Sequence, residues 1–80
     1  MAKGSSNIVH QYFKKENEKG KVLLKINPIY LTGVEITIPS DGEAETNDIE
    51  VTGDFETALP KEGFQACNPF EFNLYWAGLA

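Results

Sequence analysis

Apolar and polar residues alternate along several stretches of the chain. Phe70, Phe72, Leu74 and Trp76 alternate with Glu71, Asn73 and Tyr75. Side chains at every second position share one face of an extended strand. Aromatic residues favour such a pleated, half-buried surface. The pattern predicts a strand over 70–76, opened by Asn68-Pro69. Val34, Ile36 and Ile38 alternate with Glu35 and Thr37, and Pro39 ends that strand. Val22, Leu24 and Ile26 alternate with Leu23 and Lys25 ahead of Asn27-Pro28. Ile29-Tyr30-Leu31 extends the apolar run toward Val34, with Gly33 as a bulge or bend. Ile49 and Val51 indicate a short strand that ends near Thr52-Gly53. Residues 55–59 indicate another, stopped by Pro60.

Two segments read as connections. Residues 40–48, Ser-Asp-Gly-Glu-Ala-Glu-Thr-Asn-Asp, are polar and rich in turn formers, which predicts a loop. Lys61-Glu62-Gly63 predicts a turn. The N-terminal segment has two readings. Ile8, Val9, Tyr12 and Phe13 lie at helical spacing, with Gly20 as a helix cap. The same residue types favour strands, however, and the apolar stripe stops after Phe13. The preferred reading is a hairpin in which 8–14 pairs with 21–26 across 16–20.

Asn27-Pro28-Ile29-Tyr30-Leu31-Thr32-Gly33 resembles Asn47-Asp48-Ile49-Glu50-Val51-Thr52-Gly53. With one residue inserted, Glu35 then aligns with Glu56, Pro39 with Pro60 and Gly42 with Gly63. A duplicated unit of this size predicts pseudo-symmetric strand pairs. The alternative is chance, since these residue types gather at strand ends for local reasons.

Together these elements predict an all-β, mostly antiparallel fold. The expected architecture is a small β-sandwich or open barrel of about five or six strands. A short N-terminal helix is the one alternative element.

Length and charge narrow the functional classes. The chain has 80 residues, which predicts a single domain over 1–80 with a flexible N-terminus at 1–6. A core this small leaves a thin stability margin, and such folds usually add a disulfide, a metal or a partner. Cys67 is the only cysteine and His10 the only histidine, so neither an internal disulfide nor a cysteine–histidine zinc framework is available. Self-association is the remaining support. The formal charge is −5, with seven basic against twelve acidic residues. Binding to nucleic acid or to an anionic membrane needs the opposite balance. Met1 reads as a true start, and the residues after it form neither a signal-peptide core nor a membrane span. The expected location is the cytoplasm.

Candidate chemistry is sparse. His10 is the one candidate general base by residue type, but no Gly-x-Ser-x-Gly elbow accompanies it, and Ser5 and Ser6 lie in the expected flexible terminus. Cys67 has Ala66 and Asn68 as neighbours, and neither supplies the positive charge that activates a thiol. Asp41, Glu43 and Glu45 place oxygen donors at alternate positions, as calcium loops do, although the EF-hand spacing fails. A solvated acidic turn accounts for the same residues. Tyr30, Tyr75 and Trp76 are candidates for an aromatic contact surface, and Phe72 shares the apolar face of the C-terminal segment. No phosphate-binding glycine spacing occurs.

The sequence thus predicts a non-catalytic interaction module with no cofactor. Its expected partner is a second copy or another protein, through Phe72, Tyr75, Trp76 and Tyr30. The alternative is a small-ligand or calcium-binding β-module that uses the acidic 41–48 loop, with Asp41, Glu43 and Glu45 as ligands.

Overall fold

The structure, a computed structural model, describes residues 9–79. The expectations for 1–6 and for Ile8 lie outside these residues. The elements in chain order are β1 (Gln11–Asn17), β2 (Gly20–Asn27), β3 (Thr32–Pro39), β4 (Glu45–Glu50), α1 (Phe55–Lys61), β5 (Gln65–Ala66) and α2 (Pro69–Leu79). The strands form one open sheet in the order β4-β3-β2-β1-β5, and every neighbouring pair is antiparallel. The mostly antiparallel β character is as expected. The sandwich or barrel is not: helices, rather than a second sheet, cover the two faces.

The N-terminal hairpin forms, with Gln11 opposite Ile26 and Asn17 opposite Gly20. Residues 11–17 are therefore strand, and the helical alternative is set aside. The helical spacing lost because β1 buries Phe13 on one sheet face and lays Tyr12 against the other. The turn is the two residues Glu18-Lys19, and the Asn17 side chain accepts the Lys19 N–H at 2.8 Å. Gly20 follows at φ +142°, where a Cβ would lie 2.8 Å from Pro39 Cα. A glycine is required there by both conformation and space.

Residues 29–31 do not extend a strand. Asn27 Oδ1 accepts the N–H groups of Ile29 and Tyr30 at 2.9 and 3.1 Å, and Leu31 N–H closes onto Asn27 O at 2.9 Å. This Asx turn reverses the chain between β2 and β3. The predicted 40–48 loop is shorter than expected, because β4 begins at Glu45. The two similar heptads also part company. The first is a strand end and a turn, whereas the second is β4 and the bend leading into α1. The structure contains no pseudo-symmetric pair built from them.

Two predicted strands are helices. Residues 55–59 belong to α1, where Phe55 and Leu59, four apart, fall on one buried face. Pro60 lies in its last turn. The helix ends where Gly63 N–H bonds Pro60 O at 3.1 Å and Phe64 N–H bonds Leu59 O at 3.0 Å. That is a Schellman motif, with Gly63 at φ +97° and a Phe64–Leu59 apolar contact.

Residues 70–76 belong to α2. The Asn68 side chain accepts the Phe70 N–H at 2.7 Å, and Pro69 occupies the first helical position. Asparagine as cap and proline at the first position start a helix, not a strand.

Each sheet face is covered by one helix. On the first, Phe13, Leu24 and Ile26 pack with Phe55 and Leu59 of α1, flanked by Val22, Leu31, Ile49, Val51 and Phe64. On the second, Leu23 and Ile36 pack with Phe72 of α2, flanked by Tyr12, Val34, Ile38, Ala44 and Cys67. β2 contributes buried residues to both faces, which makes it the central strand of the core.

Candidate functional site

α2 is attached through one side only. Phe72 is 1 % exposed and meets the Tyr12 ring edge-on at 5.6 Å and the Trp76 ring stacked at 6.1 Å. Below it, Glu71 receives Lys14 Nζ at 3.2 Å and Lys21 Nζ at 3.0 Å, one on each carboxylate oxygen. Hydrogen bonds from Lys21 first and Lys14 second hold the Glu71 carboxyl below its ordinary range, and the bond to Glu71 raises Lys21. Lys21 also lies 5.2 Å from the centre of the Tyr75 ring and donates to Tyr75 Oη at 3.4 Å.

The outer side of α2 is apolar and bare. Phe70 is 68 % exposed and Leu74 59 %. Ala77 and Gly78 are exposed as well. A soluble helix normally turns charged residues outward, yet the only charged residue in α2 is Glu71, which points toward the sheet.

Comparison with known proteins finds no match to a family, to a curated sequence or to a solved structure. The site must therefore be judged on its geometry.

The expected contact residues separate. Phe72 is core and takes no part in the surface. Tyr75 and Trp76 are partly exposed on the two flanks of α2, and Trp76 leans on Phe72. Tyr30 is 70 % exposed, but it lies in the β2–β3 turn, at the opposite end of β2 from Lys21 and Tyr75. The residues that form the patch, Phe70 and Leu74, share the apolar face of the predicted strand with Phe72 and Trp76 and are not among the expected contact residues. The signal that could have exposed them is the Asn68-Pro69 helix start, which turns a period-two pattern into two opposite helix faces.

The candidate chemical groups lie in different settings. His10 lines an open groove of about 990 Å³ on the part of the second sheet face that α2 leaves bare, with Lys25, Asn27, Asp48 and Glu50 around it. Cys67 is half-buried beside α2. Burial, and then the Glu71 charge, push its thiol up, with Lys14 and Lys21 opposing. A second cleft of about 330 Å³ between α1 and the sheet is lined by Leu24, Ile49, Phe55, Leu59 and Phe64, with Glu35 and Glu62 at its rim. Asp41 and Glu43 are exposed in the loop, and Glu45 is exposed at the start of β4. Among the described residues, no three histidine, cysteine or carboxylate side chains gather closely enough to hold a metal. No helix among them is long and apolar enough to cross a membrane.

Proposed function

We propose that this protein is a non-catalytic interaction module that works by self-association in the cytoplasm. The observation that carries this reading is the bare apolar face of α2, with Phe70 and Leu74 turned to solvent on a helix whose other side is already anchored. Leaving two large apolar side chains in water forgoes about 1.5–3 kcal/mol each. A partner surface recovers that energy and supplies the support that a small core without a disulfide needs.

The sheet edge argues for the same surface. β4 presents Glu45, Asp48 and Glu50 along one edge of the sheet. Charged edge strands resist pairing with a second copy, and the other edge, β5, is only two residues long, which leaves α2 as the better contact. A non-catalytic role is favoured by the half-buried setting of Cys67, where burial pushes the thiol up.

Light scattering on a size-exclusion column across a dilution series tests this reading. The expected result is a mass above that of the single chain at high concentration, falling on dilution. A single-chain mass at every concentration would overturn it.

A further inference from the structure

We infer that the surface covering α2 is α2 of a second copy, packed antiparallel about a two-fold axis that passes beside Leu74. This rests on the self-association reading above and specifies its geometry.

At 3.6 residues per turn, Phe70, Leu74, Ala77 and Gly78 fall at i, i+4, i+7 and i+8 and form one stripe. That stripe lies opposite Phe72, the residue that anchors the helix. Its N-terminal half is bulky and its C-terminal half is small. A Cβ added at Gly78 would meet nothing within 4 Å, so the small half is an open shelf. In an antiparallel pair, Phe70 of each copy sits over Ala77 and Gly78 of the other. In a parallel pair, bulk meets bulk and the small halves face each other across a gap. Close packing therefore selects the antiparallel arrangement, which is also the isologous contact that closes a two-fold dimer. Leu74 lies midway between Phe70 and Gly78, so each Leu74 meets its own copy at the axis.

Charge permits this contact. The net charge of −5 opposes association in general, but the stripe carries no charge. Glu71, the one ionised group of α2, is tied to Lys14 and Lys21 on the inner side. Antiparallel helices also oppose their macrodipoles favourably. The area fits a weak, concentration-dependent dimer: Phe70, Leu74, Ala77 and Gly78 together offer on the order of 400 Å² per copy, so a pair buries less than the roughly 1,200–2,000 Å² of a stable interface.

The experiment uses charge substitutions at the axis. Leu74→Glu and Leu74→Lys are each expected to be monomeric by light scattering, with unchanged circular dichroism, because Leu74 makes no core contact. An equimolar mixture of the two is expected to dimerise again, because position 74 faces itself. A wild-type monomer at all concentrations would overturn self-association and this inference together. A wild-type dimer that survives Leu74→Glu would overturn this inference alone, as would two monomeric variants that fail to pair when mixed. Orientation is read by cross-linking on a Cys67→Ser background. Phe70→Cys is expected to link to Gly78→Cys in a mixture and not to itself. Linking of Phe70→Cys to itself would overturn the antiparallel geometry.

Discussion

Lys21 Nζ donates to Glu71 Oε2 at 3.0 Å, joining β2 to α2 across 50 residues of chain. Lys14 Nζ holds the other carboxylate oxygen at 3.2 Å. One carboxylate thus clamps the helix to two adjacent strands, beside the Phe72 contact. All three side chains are about three-quarters shielded from solvent.

The clamp makes stability depend on pH in a defined direction. The folded-state value of Glu71 is depressed below the ordinary 4.5. Its contribution is therefore complete above that ordinary value and is lost as pH falls through the folded one. Lys21 is raised above 10.5, so its share is complete below that value and is lost as pH rises through the raised one. Glu71→Gln is expected to lower stability at neutral pH by about 1 kcal/mol. The difference from wild type should shrink in acid. Urea unfolding from neutral to strongly acidic pH reads both, and a constant difference across that range would refute the clamp.

Phe72 and Leu74 are two residues apart on one helix, and their truncations should differ sharply. Phe72→Ala removes a buried ring from among Leu23, Ile36 and Tyr12 and is expected to cost about 3–5 kcal/mol. That is a large share of the roughly 5–15 kcal/mol that holds a typical domain. Leu74→Ala, measured on dilute protein, should stay within about 0.5 kcal/mol of wild type. Equal urea midpoints for the two would mean that α2 does not dock by the Phe72 face.

Cys67 should behave as a shielded thiol. It is half-buried, and its pKa is raised first by burial and second by Glu71. Only the thiolate attacks. Reaction with an aromatic disulfide reagent at neutral pH is therefore expected to be slow in the folded protein and at least about tenfold faster in urea. Equal rates in the two states would show that the thiol is open and active.

Much of the sheet was legible in the sequence. β2 and β3 follow the alternation of Val22 to Ile26 and of Val34 to Ile38, and Pro39 closes β3 as its ring dictates. The hairpin followed from the strand preference of Tyr12 and Phe13 and from an apolar stripe that stops after Phe13. The helices were not legible in the same way. Phe55 and Leu59 fit a strand at i, i+2, i+4 as well as a helix at i, i+4. Phe70, Phe72, Leu74 and Trp76 fit a strand face, yet in a helix they divide between opposite sides. The cost of that ambiguity fell on the site: Phe72 moved from the surface to the core, and Phe70 and Leu74 moved the other way.

The sequence by itself determined the strands of the central hairpins, the turn after Asn17, and an acidic chain with no cysteine–histidine metal framework or internal disulfide. Those features rest on short-range rules: which residues alternate, which accept a left-handed backbone and which end a strand. Only the tertiary structure decided that residues 55–61 are a helix and which side of α2, whose Asn68-Pro69 start is a local signal, meets the sheet. β2 carries Leu23 toward one face of the sheet and Leu24 and Ile26 toward the other, so an open sheet leaves apolar surface on both sides. Each side requires a cover, and α1 through Phe55 and Leu59 and α2 through Phe72 provide it. That long-range demand, and not the local pattern, places Phe72 inside and leaves Phe70 and Leu74 facing water.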